Sequence, residues 1–223
     1  MVLTRPAMVG ETAGAPAVVV AVLGPAAAVG SVLAVVAILE AAARQATGKQ
    51  HLIDMWNKTK RIFRHRWLDI SDSRKAVPAD LAERLQRRVA ASEQRHSGEV
   101  CICVEAGLPM SYLWRNASAR QRAVTVFGKL RVWDTEHNNG VLIYLLLGDQ
   151  AIEIVADRGL NSVVSAAQWQ AMIVNLRQAL RENRYEDGLT QALEEVSAVL
   201  VQHFAAPQAA LNLNELSNTV VLM

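Results

Sequence analysis

Trp133 to Gly140 reads W-D-T-E-H-N-N-G and gathers two carboxylates, an imidazole and two amides within eight positions. That density of oxygen donors suits a hard divalent cation such as calcium, which takes about six to eight oxygens from a loop able to curl around it. Asp134, Glu136 and Asn138 are the candidate ligands, with Asn139 beside them and Asp157 drawn to the same sheet edge from the next hairpin arm. Glu105, at the end of an earlier strand, is a further candidate. His137 fits this set poorly, because imidazole suits zinc or nickel better than calcium. The plain alternative is a polar turn, with Asp134 or Asn138 capping backbone groups and Asn139-Gly140 taking left-handed angles.

The same residue types admit catalysis. A phosphatase needs a nucleophile or activated water, a general acid and positive charge on the phosphoryl oxygens. Asp134 or Asp157 supplies the carboxylate in that reading, His137 the acid and Arg158 the phosphate clamp. Their spacing is not diagnostic, and the chain has no phosphate-cradling glycine loop, metalloprotease signature or nucleophile elbow. A binding or accessory module is therefore the leading expectation, and a divalent-metal-dependent acid phosphatase the runner-up.

The elements that must position this loop follow from periodicity. Pro78 opens a helix with Leu81, Leu85 and Val89 on one face. Gly98 then releases the chain into a strand whose Val100, Ile102 and Val104 alternate with Cys101 and Cys103, apolar on both faces and so central in its sheet. The cysteines read as small apolar filling rather than as metal ligands, because no second Cys/His pair follows at ligand spacing. Ser118-Ala-Arg-Gln121 is a capping box for a helix running to about Arg131. The apolar run after Gly140, then G-D-Q, then A-I-E-I-V-A-D, predicts a hairpin with Gly148-Asp149 at its tip. A second capping box, Ser165-Ala-Ala-Gln168, opens a helix with Trp169, Met172, Ile173, Leu176 and Leu180 on its apolar stripe, and another helix carries Leu189, Leu193, Val196 and Leu200. The order predicts a three-layer α/β/α sandwich with a small mixed sheet.

The first half of the chain raises a different question. Ala17 to Leu39 carries no charged residue and is long enough to cross a bilayer as a helix. Arg44, Lys49 and the run Lys58, Lys60, Arg61, Arg64, Arg66 follow it, so the positive-inside rule puts the C-terminal domain in the cytoplasm, behind a single-pass inner-membrane anchor. If translation starts at Met55 the protein is instead soluble and cytoplasmic. Trp56, Phe63, Trp67 and Ile70 share one helical face amid those basic residues, which suits either an anionic membrane surface or packing on the domain itself. A net charge of +2 argues against nucleic acid as partner. The expected organisation is an N-terminal segment over 1–50, a basic amphipathic stretch over 51–76, an α/β domain over 77–204 and a tail over 205–223, whose T-V-V-L-M could add an edge strand.

The succession D-T-E-H-N-N-G-V-L-I-Y-L-L-L, E-I-V-A-D-R-G-L and then two helices joined by R-Y-E-D-G-L resembles the TPM domain, between about Arg95 and Phe204. The W-D-T-E-H-N-N-G form is similar to a bacterial, membrane-linked branch of that family. The resemblance implies an α/β/α sandwich, a loop cleft that in some members binds calcium, an acid phosphatase activity in a plant member, and membrane or envelope proteins as partners. The chain departs from the family pattern at Ala156 to Leu160, where it keeps one glycine and adds an acid and a base, and at E-A-G-L-P before the second helix.

Overall fold

The computed structural model describes residues 51–206 and 217–223. The apolar stretch 17–39, expected to cross a membrane, lies outside them. Among the described residues no helix is long and apolar enough to do so.

The basic stretch is two helices rather than one. Helix α1 covers 51–67 and α2 covers Ile70–Ala76, with the break at Leu68-Asp69. Asp69 stops and restarts the chain: its side chain accepts from the Ser71 N–H, while Asp72 reaches back to the Asp69 N–H. Helix α3 (Ala79–Glu93) follows Pro78 and buries Leu81, Leu85 and Val89 as their spacing requires. Strand β1 (Val100–Glu105), helices α4 (Met110–Trp114) and α5 (Ala119–Lys129), and strands β2 (Val141–Leu146) and β3 (Ala151–Ala156) come next. The short α6 (Arg158–Asn161), the long α7 (Ala166–Arg181) and α8 (Tyr185–His203), and β4 (Val221–Leu222) complete the order. Both expected capping boxes form: Ser118 with Gln121 starts α5, and Ser165 with Gln168 starts α7. Each satisfies backbone N–H groups that the first helical turn would otherwise leave orphaned.

The sheet is mixed, in the order β3-β2-β1-β4. β1 runs parallel to β2 and to β4, while β2 and β3 form the antiparallel hairpin. The tail strand lies at the sheet edge, and the Met223 N–H donates to the Val104 carbonyl. Side chains of β1 and β2 alternate between two apolar clusters. Val100, Ile102, Val104, Val141, Ile143 and Leu145 join residues of α3, α7 and α8. Cys101, Cys103, Leu142, Tyr144 and Leu146 join residues of α4 and α5. Both cysteines are free and buried, and burial pushes their thiols up, Cys101 to about 12. They fill space, as expected, and are not nucleophiles at neutral pH.

Candidate functional site

The loop from Leu130 to Gly140 is built from two successive turns. Arg131 takes a left-handed conformation (φ 57°) as α5 ends, and its carbonyl accepts from the Asp134 N–H at 2.8 Å. The Thr135 carbonyl then accepts from Asn138 N–H, and the buried Thr135 hydroxyl accepts from Asn139 N–H at 3.1 Å. The left-handed residue of the second turn is Asn138 (φ 53°), not the expected Asn139-Gly140 pair. Asparagine tolerates that conformation because its short amide bonds locally. Gly140 is needed for a different reason: a Cβ there would collide with the Val132 carbonyl oxygen, so only glycine lets the two backbones pass.

Asp157 and Arg158 meet this loop across the start of the hairpin. The Asp157 N–H donates to the Gly140 carbonyl, and the Gly159 N–H to the Asn138 carbonyl, both at 2.9 Å. Arg158 Nε donates to Asn138 Oδ1 at 2.8 Å. A Cβ on Gly159 would stand 2.6 Å from the Asn138 carbonyl oxygen and 2.8 Å from that of His137, so these carbonyls crowd the turn that begins α6. Asp157 Oδ1 accepts from the Arg158 N–H at 2.7 Å.

Two side-chain oxygens at this end are buried and accept no hydrogen bond from the described residues: Asn139 Oδ1 and Asp157 Oδ2. Asn139 is fully buried, and its amide nitrogen donates to Ser97 Oγ at 3.2 Å. Buried acceptors without donors are uncommon in folded proteins and ask for a reason. Asp134, Glu136 and His137 are exposed, Asp134 standing 3.9 Å from Arg131. Among the described residues no three His, Cys, Asp or Glu side chains gather in a metal-ligand geometry. The oxygens at this end of the sheet are instead amide, carbonyl and single-carboxylate oxygens.

Glu105 does not join them, which corrects the expectation from sequence. Because β1 and β2 are parallel, with Val100 opposite Val141 and Glu105 opposite Leu146, Glu105 ends at the other end of the sheet. There it is buried in a bidentate pair with Arg122 (2.8 and 2.6 Å) and accepts from the Tyr144 hydroxyl at 2.6 Å. Burial, and then the Glu105 carboxylate, push the Tyr144 phenol well above its ordinary value. Arg122 also stacks 4.9 Å from the centre of the Tyr112 ring.

The hairpin tip at that same end holds a second ion cluster that sequence reasoning missed. Asp149 accepts from Arg61 Nε and Nη2 (3.0 and 2.6 Å) and from His65 Nε2 (2.8 Å). The Leu108 N–H donates to His65 Nδ1 at 3.0 Å, which leaves the ring proton on Nε2 and makes that nitrogen the donor to Asp149. Burial works against the Asp149 charge, yet the His65 and Arg61 hydrogen bonds hold its carboxyl well below the usual carboxylate range. A partner 84 or 88 residues away leaves no local mark in the chain.

A family model of the TPM domain matches residues 70–199, from the first residue of α2 into α8. The chain belongs to the TPM domain family. The match begins earlier than the resemblance in the sequence suggested, taking in α2 and α3 as part of the domain. Among solved structures, the BA42 protein of the psychrophilic bacterium Bizionia argentinensis shares the fold with a TM-score of 0.57 at 25% identity, over 65% of this chain and 94% of its own. The N-terminal domain of a protein from P. gingivalis gives a TM-score of 0.48 at 18% identity, over 58% and 82% respectively. Among curated proteins no sequence matches.

Proposed function

We propose that this TPM domain is a binding and accessory module whose 134–140 and 157–159 loops take a hard divalent cation, calcium by preference. The observation that supports this reading is the pair of buried acceptors, Asn139 Oδ1 and Asp157 Oδ2, at the end of the sheet where the His137 and Asn138 carbonyls also crowd together. An all-oxygen set with one carboxylate in it fits calcium and does not fit zinc. Asp157 and Asn139 are the residues that would hold the ion. Asp134 and Glu136, exposed on the same loop, would add charge when it binds. The cation would lock the loop against the start of α6 and so shape the surface offered to a membrane or envelope protein partner. With so few carboxylates the affinity belongs near the weak end of calcium sites, a Kd on the order of 10⁻⁴–10⁻³ M.

The hydrolase reading has less support. Arg158 Nε is engaged by Asn138, and His137 is exposed rather than held against a carboxylate. Titration calorimetry of the full chain with calcium and with zinc, alongside hydrolysis of a generic phosphomonoester, separates the two. Binding as proposed gives calcium heat that Asp157→Asn weakens at least tenfold, with no turnover. Identical titrations in wild type, Asp157→Asn and Asp134→Ala would sink the site. Metal-dependent turnover lost in Asp157→Asn would replace the binding reading with the phosphatase.

A further inference from the structure

Helix α1 has two faces, and only one of them belongs to the fold. At about 100° per residue, Lys58, Arg61, Ile62 and His65 share one side. Each of them touches the domain. Lys58 Nζ donates to the Trp114 carbonyl, and Arg61 reaches Asp149, Asn116 and the Ala117 carbonyl. Ile62 packs on the cluster under α5. His65 is buried against Gly107 and Gly148, where a Cβ on either glycine would strike it.

Trp56, Phe63 and Trp67 fall on the opposite side, about half a turn away. They are 61%, 61% and 82% exposed, and Ile53 and Met55 are exposed with them. A rigidly docked helix that turns three large aromatic rings to solvent marks an interaction surface, because monomeric soluble proteins rarely expose a contiguous apolar patch of this kind. Its flanks name the occupant. Lys60 and Arg64 border the aromatic stripe on one side and Arg66 on the other, and no acid occurs from Met55 to Leu68. Lys60 Nζ lies 5.1 Å from the centre of the Trp56 ring, so charge and ring face outward together. Two copies of such a face would repel one another. A sheet of anionic headgroups over an apolar interior complements both features at once, since indole and phenyl rings settle at the headgroup boundary while basic side chains meet lipid charge.

We infer that α1 is an interfacial helix, laying its Trp56–Phe63–Trp67 face on a bilayer rich in anionic lipid. The clamp to Asp149 then orients the whole domain. α1 docks at the end of the sheet where β1 and β2 finish, so that end faces the bilayer, and the 134–140 and 157–159 loops at the opposite end face water. The charge-free run 17–39 precedes this helix on the same chain, so a local readout is needed rather than simple co-sedimentation.

The test uses the full chain with Phe63→Cys carrying an environment-sensitive nitrobenzoxadiazole probe, and Val174→Cys on the exposed face of α7 as the labelled control. The native cysteines are buried. Vesicles of phosphatidylglycerol and phosphatidylcholine should shift the probe at 63 to the blue and leave the probe at 174 unmoved, while pure phosphatidylcholine does neither. Each basic residue near an anionic surface contributes roughly fivefold in partitioning, so reversing Lys60, Arg64 and Arg66 to Glu should weaken the response at least tenfold. A chain that sediments with vesicles while the probe at 63 stays aqueous would overturn the inference. So would an equal shift on neutral vesicles, the same shift with a single-stranded oligonucleotide alone, or a shift that grows with protein concentration in the absence of lipid, which would mean a second copy covers the face.

Discussion

The two ends of this sheet hold polar residues in opposite conditions. Where β1 and β2 finish, charge is matched: buried Glu105 meets Arg122 and Tyr144, and half-buried Asp149 meets Arg61 and buried His65. Where they begin, Asn139 and Asp157 keep buried oxygens that accept nothing from the described residues, while Asp134, Glu136 and His137 stand exposed. Open α/β sheets usually place ligands beyond the carboxyl ends of their strands. Here α1 docks at that end and its ion clusters are closed, although a cavity of about 710 Å³ lined by Leu147, Asp149, Arg177 and Arg181 opens beside them, and the unsatisfied buried acceptors lie at the other end. A satisfied buried network holds a fold together, whereas unsatisfied buried acceptors cost stability until something binds them.

The sharpest break of this contrast is at Glu105. Glu105→Ala leaves the Arg122 guanidinium buried without its partner, and losing one member of such a pair costs about 3–5 kcal/mol. Urea unfolding should show that loss. A change below about 1 kcal/mol would mean the network is not structural.

A second break uses pH. Burial, then the nearby Glu99 carboxylate, raise the carboxyl of Glu93, the last residue of α3 and acceptor of the Val100 N–H at the start of β1, from 4.5 to about 8, and burial lowers the imidazole of His96, bonded to the Gly98 carbonyl beside it, from 6.5 to about 4. Between about 4.5 and 8 the unfolded chain has released the Glu93 proton and the folded chain keeps it, so stability falls as pH rises. Between about 4 and 6.5 the unfolded chain holds the His96 proton and the folded chain does not, so stability rises with pH. The two slopes offset each other below 6.5 and leave a net fall of on the order of 1–2 kcal/mol from 6.5 to 8. Glu93→Gln should abolish that fall and expose the rise due to His96. A profile unchanged by the substitution contradicts the assignment.

At Asp149 the expected effect is smaller and more local. Asp149→Asn keeps an acceptor oxygen and so weakens the clamp on α1 by about 1 kcal/mol, below the roughly 1.5–3 kcal/mol of a hydrogen bond to a charged group. Amide exchange should quicken in α1 and stay slow in β1 and β2. Since the Asp149 carboxyl is held below its ordinary 3.8, its contribution is present above that pH and lost as pH falls further, so acid should loosen α1 in wild type and not in the variant. Asp157→Asn should cost least, under about 1 kcal/mol, because an asparagine at the same N-cap position still accepts from the Arg158 N–H. A large loss there would make Asp157 structural and remove the contrast between the two ends.

What the sequence disclosed was local. Ser118 with Gln121, Ser165 with Gln168, and the hairpin around Gly148-Asp149 all formed as read, because capping and turn chemistry act over three or four residues. The loop and Asp157 met as expected because a hairpin returns its second arm to the start of its first. Glu105 was misplaced although the chain held the answer: a strand, a helical crossover and a strand in one sheet run parallel, which sends the end of β1 away from the start of β2. The break at Asp69 was also legible, as Asp69 and Asp72 stand at capping-box spacing. The bonds of Arg61 and His65 to Asp149 were not, since nothing local distinguishes a hairpin-tip aspartate that receives them from one that faces water. Nor could two adjacent asparagines reveal that Asn138 takes the left-handed turn while Asn139 turns inward to Ser97.

The contrast between the ends is tested most directly by titrating calcium into isotope-labelled full chain and following backbone amide shifts residue by residue. Shifts concentrated in Asp134–Gly140 and Asp157–Asn161, with Leu147–Gln150 and Glu105 still, are the expected result. Shifts centred on Leu147–Gln150, or none at millimolar calcium, would contradict it.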